Sequence, residues 1–441
     1  MTSKNRSILK KEKFEIPVDW AWYWCDEVFD FQGGSQPPAK TFVSEPREGY
    51  VRLVQIRDYY TDEHMTYIPD SPKLKKCSES DLLIARYGAS LGRICRGLTG
   101  AYNVALAKTI PSPLIEKEYL FYLLNSRMFQ VPLLNSGDRS AQAGFNKESI
   151  STIPFPLPPL PEQQAIASIL GALDDKIDLN RRMNETIESM ARAIFKSWFV
   201  DFDPVRAKME GKQPFGMDAE TAALFPDRLV ESELGLIPEG WDVVAIGTLV
   251  ELDRTSLKPE EFPETTFLHY SIPAYDSGQS PSLDIGSSIK SSKFVVTDDV
   301  VLVSKLNPRT PRVWLPDHDT NQQAICSTEF LVLRPRNIEN QMLIYVLCCQ
   351  SSFRNRLMAV ATGTSNSHQR VRPDDILDSK IAFDAEVAEK ISCHLSSIAT
   401  LVLNNRNESR TLAELRDLLL PKLVSGEIRV KEAEQMVEAA V

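Results

Sequence analysis

The chain has 441 residues, a hydrophobic fraction of 43%, a charged fraction of 25% and a formal net charge of −10. This composition excludes a largely disordered chain and, at roughly 100–200 residues per domain, predicts two to three domains. Its cleanest apolar runs, such as 342–349, fall far short of the ~20 residues of a spanning helix, and the start MTSKNRSILKKEKFE is charged, so no membrane partner, no secretory signal and a cytoplasmic location are expected.

In chain order, runs rich in β-branched and aromatic residues predict short strands at 50–56, 82–86 and 103–106. A helix follows at 116–131, ending near Pro132, and then a polar loop, NSGDRSAQAGFNK, at 135–147. Apolar residues then alternate in steps of three and four over 162–199, through Ile166, Leu170, Leu173, Ile177, Ile187 and Ile194, with Asn180 and Asn184 in the same row. The order then returns. Strands are expected at 267–272, 300–303 and 328–333, a helix at 339–360, the loop ATGTSNSHQRVR at 361–372, and a second heptad run over 385–420. That run is carried by Ile391, His394, Ile398, Leu401, Leu412, Leu415 and Leu419. Both runs read as coiled-coil seams, and core asparagines in such a seam fix register.

The chain is a duplication. Ile16-Pro17-Val18-Asp19-Trp20 matches Ile237-Pro238-Glu239-Gly240-Trp241, residues 119–124 match 342–347, and Leu179-Asn180 matches Leu403-Asn404, at offsets of 221, 223 and 224. The fold class expected is α+β: two similar globular units separated by two long helices packed as an antiparallel coiled coil. The boundaries are a first globular unit at 1–157, a long helix at 158–204, a linker at 205–235, a second globular unit at 236–384, a second long helix at 385–425 and a tail at 426–441. Two similar units on paired helices of fixed length suit a two-part linear target such as DNA.

Charge is unevenly spread. Residues 1–157 carry a formal +2, whereas 158–235 and 236–384 each carry −5. Cations nevertheless cluster at matching places, Arg86, Arg93 and Arg96 in one copy and Lys305, Arg309 and Arg312 in the other. These suit phosphate contacts. Arg139, Gln142 and Asn146 in the first polar loop, and Asn366, His368, Gln369 and Arg370 in the second, suit base edges, with Lys147 and Arg372 beside them. No GxGxxG, P-loop or nucleophile arrangement occurs, so no catalytic residue is expected. The seven cysteines are scattered without CxxC, and the five histidines show no metal-ligand spacing; reduced thiols and no metal site are expected.

Several strings carry a family resemblance. Residues 155–164 (FPLPPLPEQQ) lead into the first helix and residues 197–205 (SWFVDFDPV) end it. Lys208-Met209-Glu210-Gly211, Phe215-Gly216-Met217 and residues 420–428 (LPKLVSGEI) follow. With the duplication, these resemble the specificity subunit of a type I restriction–modification enzyme. The resemblance implies a DNA-binding, non-catalytic subunit whose two target-recognition domains each read one half of a bipartite double-stranded site. It implies two methyltransferase subunits as partners, each flipping an adenine, with two motor-nuclease subunits able to join. S-adenosylmethionine, ATP and Mg²⁺ would then belong to the partners and no cofactor to this chain. Trp198, Phe199 and Phe202 read equally as core or as a partner-docking surface. The second helix departs from the pattern, since residues 381–386 (IAFDAE) stand where a proline-rich lead-in would be. A specificity subunit of a related restriction class, and a protein-binding coiled-coil scaffold, stay open as alternatives.

Overall fold

The computed structural model describes residues 16–136, 144–145, 147–317, 322–362 and 369–440. It divides into two compact units, residues 1–178 with 410–441, and residues 179–409.

In the first unit, the strand Ala21–Trp24 pairs antiparallel with Pro154–Leu157, which brings the two ends of the globular part together. A four-stranded sheet runs in the order Phe29–Gly33, Leu106–Pro111, Leu83–Ala85, Ile94–Cys95. A second runs Tyr67–Pro69, Tyr50–Val54, Gly100–Tyr102, Lys76–Cys77, its middle pair parallel. Leu83, Ile84 and Ala85 are all fully buried, which explains an unbroken apolar run where alternation would mark a half-exposed strand. Gly34 follows the strand Phe29–Gly33, and a Cβ there would lie 2.0 Å from the Asn103 carbonyl oxygen, so only glycine fits.

The second unit repeats this plan. Asp242–Ala245 pairs with Lys380–Phe383. One sheet runs Val250–Asp253, Phe330–Pro335, Val301–Ser304, Val313–Trp314. The other gains a strand and runs Ser256–Leu257, Lys293–Val296, Ala324–Cys326, Thr266–Tyr270, Ser282–Ile285, with the equivalent parallel pair between Thr266–Tyr270 and Ala324–Cys326. The duplication read from sequence is thus a duplication of topology.

Two expected elements differ. Of the strand expected at 103–106, residues 103–105 instead form the turn between Gly100–Tyr102 and Leu106–Pro111, because the Asn103 side chain accepts the Ala105 N–H at 3.1 Å and folds the backbone back. Each expected single helix is two. Lys117–Asn125 and Arg127–Ser136 meet at Ser126, whose hydroxyl bonds the Leu123 carbonyl at 2.7 Å; Pro132 lies inside the second of them and does not end it. Gln341–Cys348 and Ser351–Val360 break at buried Gln350, which donates to the Arg192 carbonyl at 3.1 Å.

The long helices are Leu160–Phe199 and Ala385–Ser425, 40 and 41 residues, each about 60 Å at 1.5 Å per residue. They pack against each other antiparallel. In the first unit the seam is apolar, with Ile166, Leu170, Leu173, Leu412, Leu415 and Leu419 sharing one core and Ile177 half-buried beside it. In the second unit it turns polar. The Asn184 amide donates to the Val402 carbonyl at 3.0 Å, the Asn405 amide to Asn184 Oδ1 at 2.8 Å, and the Asn180 amide to Glu408 at 2.7 Å. Further along, Ile391 is buried, and Ile187, Ile194 and Ile398 are half-buried. Leu401 is a correction. It is 52% exposed, and His394 of the same expected row is exposed too, while Leu395 and Val402 are buried at 0% and 1%. Ile391 to Val402 is eleven residues, three turns of a nearly straight helix, and a strict seven-residue count slips by one position there.

The proline-rich string has a structural purpose. Pro158, Pro159 and Pro161 bracket the helix start, and buried Gln163 accepts the Glu116 N–H at 2.8 Å while donating to the carbonyls of Leu114 and Pro158. Glu162 accepts the Trp20 indole N–H at 3.0 Å and two bonds from Arg429, which also grips Asp19. At the second helix, Asp384 supplies only a cap to the Val387 N–H, and the indole nitrogen of Trp241, the counterpart of Trp20, is buried without a partner.

The segment read as a linker contains the helices Asp203–Met209 and Ala219–Ala223 and the hairpin Leu229–Ser232 with Gly235–Pro238. Phe199, Phe202 and Phe225 surround Trp241, so the aromatics that end the first long helix belong to the core of the second unit. The segment read as a tail carries the helix Val430–Ala440, with Ala433 buried in the core of the first unit. All seven cysteines are free thiols, five of them buried.

Candidate nucleic-acid interface

In each unit a hairpin loop leaves a fully buried strand. In the first, Leu83–Ala85 ends and Arg86-Tyr87-Gly88 begins the loop, which closes when the Ala85 N–H meets the Arg93 carbonyl at 2.8 Å. Tyr87 forms an antiparallel bridge with Gly144, and the next residue, Phe145, is buried against Phe31 with ring centres 5.5 Å apart. Phe145 is therefore the apolar anchor of the polar loop, held beside Arg86. The Arg86 guanidinium lies 5.1 Å from the Tyr87 ring and 6.0 Å from Phe145.

The second unit repeats the pairing. Val301–Ser304 leads to Lys305-Leu306-Asn307, and the Ser304 N–H meets the Arg312 carbonyl at 2.9 Å. Leu306 bridges Arg370, the Asn307 N–H donates to the Gln369 carbonyl at 2.8 Å, and Val371, buried at 3%, takes the anchoring role of Phe145. Gly88 and Asn307 occupy the same corner with φ of +72° and +49°, a left-handed conformation that asparagine tolerates best among residues with a Cβ.

The structure thus brings the two sequence clusters of each copy together: Arg86 and Arg93 with the flanks of the 135–147 loop, and Lys305, Arg309 and Arg312 with Gln369 and Arg370. Arg139, Gln142, Asn146, Asn366 and His368 lie outside the described residues. The cations differ in how far they are engaged. Arg93 lies 3.8 Å over the ring of Tyr60, which is 64% exposed, so its charge is not neutralised. Arg312, at the same place in the second unit, is bound through two bonds of 2.7 and 2.8 Å to Asp276, and Arg370 is similarly held by Glu329. Arg96 is tied to Glu118 at 2.7 Å and lies over Phe121. Lys147 bonds Asp30 at 2.7 Å and holds that carboxyl below its ordinary range. Arg309 and Arg372 are exposed and Lys305 half-buried. Tyr60 and Tyr87 were not singled out by sequence; their signal would have been a tyrosine next to a loop cation, which is too common to select them.

Among the described residues, no cluster of three or more His, Cys, Asp or Glu could hold a metal ion, and no helix is long and apolar enough to cross a membrane. What the fold defines is a duplicated α+β chain whose two globular parts each present a pair of loops with cations, joined by aromatics in the first unit.

Residues 17–189 match the family described as "Type I restriction modification DNA specificity domain". The chain is 23% identical over 441 residues to the type I restriction enzyme MjaIX specificity subunit of Methanocaldococcus jannaschii, covering 95% of each. It is 27% identical over 368 residues to the HindI specificity subunit of Haemophilus influenzae, covering 70% of this chain and 77% of that one. The crystal structure of a type I restriction–modification S subunit from M. genitalium shares the fold, with a TM-score of 0.53, 12% identity, and coverage of 94% and 98%. The chain is thus similar, over most of its length, to type I restriction–modification specificity subunits.

Proposed function

We propose that this chain is the sequence-reading subunit of a type I restriction–modification complex, working in the cytoplasm, and that it makes and breaks no bond itself. Each globular part reads one half of a bipartite double-stranded DNA site. Two methyltransferase subunits dock on the chain and methylate adenines, and two motor-nuclease subunits join them to cut. S-adenosylmethionine, ATP and Mg²⁺ serve those partners. One observation carries this reading: the same loop pair, built on the same buried strand and carrying cations, occurs once in each unit. A two-part target is the natural match for two copies of one reader.

Within each loop pair, Arg86, Arg93, Lys305 and Arg309 position phosphates, Arg312 being held by Asp276, and Arg139, Gln142, Asn146, Asn366, His368, Gln369 and Arg370 reach base edges. A bidentate base contact discriminates by ~1–3 kcal/mol. The test is a map of methylated adenines in host DNA with the chain present and deleted, its methyltransferase partner retained. One gapped two-part motif should lose methylation on deletion. An unchanged map would reject the proposal.

A further inference from the structure

A second recurring arrangement lies away from the loops. In the first unit, Tyr122, 2% exposed on the helix Lys117–Asn125, donates its hydroxyl to Asp174 Oδ2 at 2.8 Å. Asp174 stands on the first long helix, and its other oxygen accepts Arg416 of the second long helix at 2.7 Å. In the second unit, Tyr345, 3% exposed on Gln341–Cys348, donates to Glu188 Oε2 at 3.0 Å, and Arg406 donates to Glu188 Oε1 at 2.9 Å. Each clasp therefore joins three elements: the tyrosine helix of the globular part, a carboxylate of the first long helix and an arginine of the second.

The tyrosines are repeat counterparts, 223 residues apart, but the carboxylates are not. Counting 224 residues on from Asp174 gives Ile398, and from Glu188 gives Leu412. The two clasps are therefore built from different positions to the same plan, which a mere copy of one unit would not produce. A carboxylate that receives both a phenol and a guanidinium fixes direction as well as distance, since each bond is charge-assisted. A buried apolar contact at the same place would tolerate rotation.

We infer that Tyr122, Asp174 and Arg416, with Tyr345, Glu188 and Arg406, are positioning residues. They set the angle of each globular part on the helix pair within its own unit, and hence which spacer length the complex accepts. This rests on the bipartite-DNA reading above. The test uses the full chain with its methyltransferase subunits on a DNA library in which the two half-sites are held constant and the spacer varies base pair by base pair. Tyr122→Phe and Tyr345→Phe, singly and together, remove only the clasp hydroxyls. Tyr119→Phe is the control, because the Tyr119 hydroxyl is equally buried yet has no hydrogen-bond partner. The wild type and Tyr119→Phe should methylate one spacer length. The clasp variants should raise methylation at neighbouring spacers by roughly tenfold relative to that length, with the half-site sequences unchanged, which is the effect of losing one charge-assisted bond. Should the double variant fail to fold, Arg416→Gln, which removes the guanidinium from Asp174, reads the same shift. An unchanged spacer profile in folded clasp variants would overturn the inference and leave the reading intact. No half-site-dependent methylation by the wild type would overturn the reading and the inference with it.

Discussion

The two units share a topology and differ in charge and in seam. In the first, the arginine at the end of the hairpin loop lies on an exposed tyrosine; in the second, its counterpart is locked to an aspartate. The helix pair is apolar in the first unit and is crossed by asparagines in the second. A duplicated fold thus need not carry duplicated energetics. A stacked guanidinium keeps its field for a phosphate, whereas an ion-paired one has spent it inside the protein. Of this matched pair of arginines, the uncommitted one lies in the first unit.

The largest effect expected from this contrast lies in the seam. Leu170→Ala, in the apolar half, should cost about 2–5 kcal/mol in urea unfolding, and Leu395→Ala in the second unit a similar amount, whereas Leu401→Ala on the exposed face should change stability by under about 0.5 kcal/mol. Equal costs for Leu395 and Leu401 would restore the strict heptad. Next, Asn184→Ala should cost about 1–3 kcal/mol, because it strands the Asn405 amide in the seam and removes a bond across it to the Val402 carbonyl. Replacing Asn184 and Asn405 together by leucine should be nearly neutral in stability but loosen helix register, which cross-linking of cysteine pairs along the seam would reveal.

A smaller effect separates the two arginines. Arg93→Ala should weaken DNA binding by the assembled complex at all sequences and lower the slope of log affinity against log salt by about one, while Arg312→Ala should destabilise the second unit and leave that slope nearly unchanged. Identical slopes for both variants would erase the contrast. The smallest effect concerns acid. Asp81 and Asp299 are repeat counterparts. Burial alone would raise both carboxyls, but Ser78, Lys108 and Lys117 around the first, and Thr297 and Arg334 around the second, hold them below the ordinary carboxylate range. Their contribution is present above the unfolded value of about 3.9 and is lost as pH falls through the lower folded value. Lys108→Gln and Arg334→Gln should each move acid unfolding of their own unit to slightly higher pH, monitored by hydrogen exchange.

Much of this architecture was legible. The duplication, the long helices and their apolar rows follow from spacing alone, and the strings around residues 155–164 and 420–428 marked the family. Other features depend on partners far away in the chain. The strands are two to six residues long, too short for alternation to show, and the Asn103 turn read as a strand because its side chain decides the fold of the backbone. Trp20, Glu162 and Arg429 meet across 142 and 267 residues, so nothing near Glu162 announces its role. At the interface, the cation clusters were visible, but Asp276 and Glu329, which bind Arg312 and Arg370 from 36 and 41 residues upstream, were not.

The most direct test is base-resolution mapping of methylated adenines in cells carrying the methyltransferase partner and either the wild-type chain, Arg139→Ala or Arg370→Ala. Independent readers predict that each substitution relaxes one position in one half of the gapped motif and leaves the other half and the gap as they were. Relaxation of both halves by a single substitution, or of neither by both, would contradict the assignment of one globular unit to each half-site.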